Sequence, residues 1–295
     1  MTTPDPTPAV DSPNRMPRDD EVDVFGLTHL GKVRKTNQDN FLISSLHKQM
    51  RVHYTSLPEV ARLPLKGERL AYLCMVADGV GGGLGGGEAS RHAIAVAAQY
   101  VAETMRCYYT ADATDEQAFC DALQEAAMHC HQSVAEKAEA DPDRRGMATT
   151  LTMLISVWPV TYLLQVGDSR CYLLREGALT QITRDQTMAQ ELVDQGVLTV
   201  ANADNTRWAH VLSSAIGGRQ TAPVVTRIDR MWDDVILLCS DGLTKHVSDD
   251  RISERLSTMK SSKQVCEDLL QDALDGGGSD NITVLVGRLV RKPSE

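Results

Sequence analysis

The strongest constraint on this fold is a set of short apolar segments separated by helices that arrive in consecutive pairs. Ala71–Ala77 (AYLCMVA) and Val235–Cys239 (VILLC) are continuous apolar runs, as suits strands buried on both faces. Leu151, Met153, Ile155 and Val157 alternate with Thr150, Thr152 and Ser156, the pattern of a half-buried strand. Ile282, Val284 and Val286 alternate with Thr283, Leu285 and Gly287 and predict a last strand. Between the first and second of these segments, Ile94, Ala98, Val101 and Met105 share one face of a long helix. Phe119, Leu123, Ala126 or Ala127, Cys130 and Val134 share a face of the next helix, with Thr114 and Gln117 as a capping box at its start. Shorter helices near 249–258 and 262–274 precede the final strand. Helices in pairs do not read as repeating β-α-β units. The expectation is an α+β fold with sheet layers flanked by helices.

Composition excludes several function classes. The 295 residues carry 30 Lys and Arg against 40 Asp and Glu, and a net charge of −10 repels a phosphate backbone, so nucleic acid is not an expected partner. The longest all-apolar run, Ala71–Ala77, is far below the ~20 residues of a membrane span, and no basic-then-apolar leader pattern opens the chain. The 7 cysteines form no C-x-x-C pair, which disfavours a disulfide framework and a zinc module. These features predict a soluble, cytoplasmic protein. Residues 1–20, rich in Pro, Asp, Thr and Ser, read as a disordered tail, and residues 21–292 as the folded domain.

The chemistry lies in where the aspartates fall. Asp78 ends the first apolar run in VADGVGGG, Asp168 follows a strand in QVGDSR, and Asp241 follows Val235–Cys239 in LLCSDG. Asp280 precedes the last strand in GGGSDNITV, and Asp39 precedes an early one in NQDNFLI. One aspartate at a strand–loop junction is an ordinary turn residue. Five of them, if the sheets gather those ends, repel one another and call for hard divalent cations; oxygen-only ligands suit Mg²⁺ or Mn²⁺ rather than zinc.

Gly81–Gly86 also matches G-x-G-x-x-G after a strand and before a helix, which makes a dinucleotide-binding enzyme a rival reading. A stretch this rich in glycine meets the pattern partly by chance, and the helix that follows leads into a second helix rather than a strand. There is no P-loop, no G-x-S-x-G elbow and no H-E-x-x-H. His129, Cys130 and His131 cannot share one ion on a helix, where residues two apart point to different sides. The expectation there is a core cysteine between half-exposed histidines. Trp158, Trp208 and Trp232 read as packing anchors, with Trp208 the one placed to touch a substrate.

GKVRKTNQDN (31–40), VADGVGGG (76–83), GMATTLTM (146–153), VGDSRCYLL (166–174), ITRDQT (182–187), LSSAIGG (212–218), LLCSDGLT (237–244) and GGGSDNITVLV (276–286) stand in the order found in the metal-dependent protein serine/threonine phosphatases, the PPM or type 2C family, whose bacterial members the chain resembles over residues 22–290. The resemblance implies a four-layer α-β-β-α sandwich with two central antiparallel sheets. It implies hydrolysis of phosphoserine and phosphothreonine monoesters in proteins by a metal-bridging water, with two Mn²⁺ or Mg²⁺ ions and a third in bacterial members. By motif, Asp78 resembles the carboxylate bridging two metals and Gly79 a carbonyl ligand of the second. Asp241 and Asp280 resemble the other ligands of the first metal, and Asp39 the acid that binds or orients water on the second. Asp168 with Asp241 resembles the third site, Arg34 the phosphate-binding arginine, and Asn281 a residue that steadies Asp280. The catalytic set so implied is Arg34, Asp39 and Asp78. Ser240 would be structural.

Two departures stand out. Val80 replaces a histidine that many eukaryotic members use as a proton donor, and the segment from Leu46 to Arg69 is longer than expected of a bacterial member, either an extended hairpin or a partner surface. Gln186 stands where a histidine is frequent. Residues about 184–217 correspond to the flap beside the active site. The reading is of a monomer that opposes a serine/threonine kinase, and the lack of a long apolar run predicts no membrane association. A catalytically weak relative that binds phosphoproteins remains the alternative of another class.

Overall fold

The computed structural model describes residues 15–49, 52, 67–81, 85–104, 116–203 and 206–292. Its strands are β1 (Val22–His29), β2 (Asp39–Lys48), β3 (Glu68–Val80), β4 (Ala148–Thr149), β5 (Leu151–Val157), β6 (Val160–Val166), β7 (Arg170–Arg175), β8 (Ala178–Gln181), β9 (Val224–Asp229), β10 (Val235–Cys239) and β11 (Ile282–Leu289). Its helices are α1 (Gly85–Glu103), α2 (Glu116–Ala140), α3 (Met188–Asp194), α4 (Val200–Ala203), α5 (Asp241–Thr244), α6 (Asp249–Ser257) and α7 (Ser262–Asp275). One sheet runs β1-β11-β10-β7-β8 and the other β2-β3-β5-β6-β9, with β4 beside β3. Every pairing among the described strands is antiparallel.

Three apolar interfaces separate four layers. α1 and α2 bury Ala93, Ala97, Val101, Phe119, Leu123, Cys130 and Val134 against Leu73, Met75, Leu151, Met153, Ile155 and Leu164 of one sheet. Val76, Leu154 and Leu163 point the other way and meet Leu173, Ile236, Leu238 and Leu285 of the second sheet. That sheet's outer face, with Leu237, Val284 and Val286, is covered by Ile252 and Leu256 of α6 and by Val265 and Leu269 of α7. Each buried Val, Leu, Ile, Met or Phe side chain among these contributes about 1.5–3 kcal/mol. Ser248 caps α6 by accepting from the Arg251 amide, and Ser261 caps α7 by accepting from the Gln264 amide.

The expected α-β-β-α sandwich is therefore present. The alternating strand at Leu151–Val157 is buried on both faces rather than one, because the second sheet covers Thr150 and Thr152. Thr152 meets its burial by donating to the Ser169 carbonyl at 3.1 Å.

The tail boundary also differs from expectation. Residues 1–14 lie outside the described residues. Residues 15–20 pack on the body: the Arg15 guanidinium grips buried Glu21 at 2.5 and 2.6 Å, and Arg69 donates to the Pro17 carbonyl and to Asp19. Of the long segment between β2 and β3, the hairpin persists out to the pair Lys48 and Glu68, with a bulge at Leu46/His47. Its remainder, apart from residues 49, 52 and 67, lies outside the described residues, as do Thr114 of the expected capping box and Met105 of the first helix.

Candidate metal centre

Topology brings the strand ends together. β10 runs antiparallel to β11, so Asp241 after one and Asp280 before the other emerge at the same edge. β2 runs antiparallel to β3 in a register that places Asp39 directly opposite Asp78. The loop from β1 to β2 crosses from one sheet to the other at this edge and carries Arg34. Asp168 follows the end of β6.

The glycines of the two Asp-Gly pairs permit the close approaches this requires. A Cβ on Gly79 would lie 2.2 Å from the Gly86 carbonyl oxygen at the start of α1, and one on Gly242 would lie 1.9 Å from that of Asn281.

Neighbouring motifs hold the aspartates in place. The Asp78 carbonyl accepts from the Thr150 amide at 2.9 Å and from Thr149 Oγ1 at 2.8 Å. Thr150 Oγ1 also takes the Asp78 amide and meets Ser169 Oγ, beside Asp168, at 2.8 Å. Asp39 Oδ2 accepts from Ser240 Oγ and from Thr283 Oγ1, each at 2.7 Å. Because Thr283 spends its one proton there, the proton of its 2.8 Å contact with Thr28 Oγ1 comes from Thr28, which itself accepts from Asn37 Nδ2 at 2.9 Å. Ser240 is thus structural, as expected, and its work is to fix one oxygen of Asp39.

Gln186 replaces the frequent histidine with two contacts. Its Oε1 accepts from the Gly167 amide at 2.7 Å and its Nε2 donates to the Ala222 carbonyl at 2.9 Å, tying the Gly167–Asp168 turn to the neck of the flap.

Two cations face the carboxylates. Arg34 donates in a bidentate fork to Asp280 at 2.7 and 2.9 Å, and Lys245 bridges Asp241 Oδ2 at 2.6 Å and Asp280 Oδ2 at 2.7 Å. Asn281 does more than steady Asp280. Its amide side chain takes the Gln38 amide at 2.8 Å and donates to the carbonyls of Leu30 and Thr36, so it staples the Arg34 loop. Only its backbone N–H reaches Asp280, at 2.9 Å.

The remaining acids bear the consequences of crowding. Burial pushes Asp168 up to about 8, with repulsion from Asp241 and Asp185 adding to it. Burial also raises Asp39 to about 6 against the pull of Ser240 and Thr283. Asp78 lies well above the carboxylate range through burial and the fields of Asp39, Asp241, Asp168 and Asp280. Asp280 is lowered against its burial by Arg34 and Lys245.

Divalent ions fit this donor set. Asp39 Oδ1 and Asp241 Oδ1 are buried with no hydrogen-bond partner, a costly state that an oxygen-seeking cation relieves. The sequence did not anticipate how the charge is balanced here. Among the described residues no three Asp, Glu, His or Cys side chains are gathered closely enough to chelate an ion as they stand. Asp280 is instead satisfied by Arg34 and Lys245.

A pH dependence follows. Acids with raised folded pKa values contribute stability that is fully present below about pH 4 and lost as pH rises through their folded values, about 6 for Asp39 and about 8 for Asp168. Glu21, held at about 2 chiefly by Arg15, acts oppositely and loses its contribution as pH falls below 4. In EDTA, thermal unfolding should therefore show lower Tm at pH 8.5 than at pH 5.5, and Mn²⁺ should reverse the order. A Tm that is flat or rising to pH 8.5 in EDTA would contradict the crowded-carboxylate account.

Other expectations are settled nearby. The dinucleotide reading fails: Gly85–Gly87 open a helix packed on Asp78-Gly79 and Gln38 in an antiparallel sandwich, while residues 82–84 lie outside the described residues. Val80 is 38% exposed and offers no proton. Cys130 is buried, and His131 accepts the Gly217 amide at 3.1 Å, pinning the far end of the flap rather than joining a metal cluster. Trp158 packs on Trp232, whereas Trp208 sits in the flap, 36% exposed, under the Arg207 guanidinium.

Such a sandwich, with acidic strand ends gathered at one edge, defines a class whose relatives are identifiable. Residues 64–278 match the family described as Protein phosphatase 2C. The chain is 37% identical over 223 residues to the serine/threonine protein phosphatase PstP of Mycobacterium tuberculosis, covering 75% of this chain and 41% of that relative. It is 32% identical over 215 residues to the serine/threonine phosphatase Stp of Listeria innocua, covering 72% of this chain and 83% of the relative. The fold matches a solved PstP catalytic domain in complex with two manganese ions, with a TM-score of 0.70 at 32% identity over 92% of this chain and 99% of that one. This chain belongs to the protein phosphatase 2C family. It spans about two-fifths of the length of its mycobacterial relative.

Proposed function

We propose that the protein is a metal-dependent phosphatase acting on phosphoserine and phosphothreonine in proteins, opposing a serine/threonine kinase as a cytoplasmic monomer. The observation that carries this reading is the crowding of Asp39, Asp78, Asp168, Asp241 and Asp280 at one sandwich edge, with two of their oxygens buried and unpartnered. The solved PstP domain, similar over nearly the whole chain, holds two manganese ions.

Asp78, the Gly79 carbonyl, Asp241 and Asp280 would hold the ions, with Asp39 beside them and Asp168 with Asp241 as a third position. Bound Mn²⁺ or Mg²⁺ would neutralise the carboxylates, activate water and draw charge from the phosphoryl oxygens. The chain's own residues do the rest. Ser240 and Thr283 hold Asp39 Oδ2, which leaves Oδ1 to accept a proton or orient water. Arg34, more than half exposed, holds Asp280 with its planar fork and would turn that fork to a phosphoryl group once ions occupy the carboxylate. Val80 supplies no proton to the departing serine or threonine oxygen. No protein nucleophile is required. Residues 184–217, with Trp208, would flank the entrance as a flap and influence which phosphoprotein enters.

The test is phosphate release from matched phosphoserine, phosphothreonine and phosphotyrosine peptides in Mn²⁺. Turnover of the first two well above the third supports the assignment. No turnover of any peptide by folded protein would move the reading to a phosphoprotein-binding relative.

A further inference from the structure

Lys245 is the cation most deeply engaged with the carboxylates, and none of the aspartate motifs announces it. It lies four residues after Asp241, just beyond α5, with its ammonium 2.6 Å from Asp241 Oδ2 and 2.7 Å from Asp280 Oδ2. The lysine side chain is 20% exposed and both carboxylates 16%, so these contacts are sheltered from solvent screening. Arg34 completes Asp280, whereas Asp241 Oδ1 has no partner.

An ammonium and a hard divalent ion seek the same carboxylate oxygens. The ammonium is a compact charge on a flexible four-carbon stem, able to leave without disturbing the backbone. A divalent ion at this pair needs Asp241 Oδ2 and Asp280 Oδ2 free of Lys245. The backbone beneath is closely packed, because Gly242 approaches the Asn281 carbonyl too nearly for any Cβ and so brings the two aspartates side by side.

We propose that Lys245 is a tethered counter-ion that fills the Asp241–Asp280 pair in the metal-free protein and competes with the divalent ion for it. Lys245 therefore stabilises the empty fold while weakening metal affinity, and makes occupancy depend on the free metal concentration. The inference rests on the reading that these carboxylates hold divalent ions.

The experiment is isothermal titration of Mn²⁺ into the full chain stripped with EDTA, comparing wild type, Lys245→Met and Lys245→Arg, with Tm measured in EDTA alongside. Losing two charge-assisted contacts should tighten Mn²⁺ binding by about ten- to a hundredfold in Lys245→Met. The same variant should have a lower metal-free Tm, and Lys245→Arg, which keeps the charge, should bind Mn²⁺ as weakly as wild type. Unchanged or weaker Mn²⁺ binding in Lys245→Met, with wild type binding normally, would overturn this inference alone. No Mn²⁺ binding by any of the three would overturn the metal-dependent reading and this inference with it. Should Lys245→Met not fold, Lys245→Gln replaces it under the same criteria.

Discussion

Asp78→Asn should lower kcat on a phosphothreonine peptide by about a thousandfold or more and at the same time raise the Tm of the metal-free protein. The two effects share one cause. Asp78 sits opposite Asp39 in the β2–β3 ladder and within the fields of Asp241, Asp168 and Asp280, so its charge is unwelcome until cations arrive. An isosteric amide keeps the backbone contacts to Thr149 and Thr150 and removes that repulsion. It also removes the carboxylate that would bridge the ions. A variant that loses activity together with metal-free stability would mark Asp78 as a packing residue instead.

Asp241→Asn should cost far more activity than Asp168→Asn at saturating Mn²⁺, on the order of a thousandfold against tenfold. Asp241 is joined to Asp280 through Lys245, and its charge also acts directly on Asp168, so it belongs to both proposed ion positions. Asp168 belongs to one. Steady-state phosphate release from the two purified variants measures the ratio, and equal losses would remove the basis for ranking them.

The layers and the acidic edge were legible in the sequence because both are written in short-range patterns. Phe119, Leu123, Cys130 and Val134 repeat at helical spacing and are buried where the repeat puts them. The aspartates at strand ends are marked by glycines whose close contacts leave no room for a Cβ, as at Gly79 and Gly242. What escaped depends on contacts distant in sequence. Thr283 looks like an ordinary strand residue until β11 brings its hydroxyl to Asp39, 244 positions away. Lys245 lies just past the LLCSDGLT motif, yet its ammonium meets Asp280, 35 positions away. Asn281 was assigned to its neighbour Asp280, but its side chain spans to Leu30, Thr36 and Gln38. The alternation at Leu151–Val157 gave one buried face correctly. It carried no sign that a second sheet covers the threonine side, because Thr150 and Thr152 have their hydrogen-bond partners inside.

The most direct measurement is phosphate release from a phosphothreonine peptide by EDTA-stripped protein, before and after Mn²⁺ or Mg²⁺ is restored, with Asp241→Asn prepared in parallel to exclude a contaminating phosphatase. The account predicts no turnover in EDTA, recovery on adding metal, and none in the variant. Turnover that persists in EDTA, or that survives in Asp241→Asn, would contradict it.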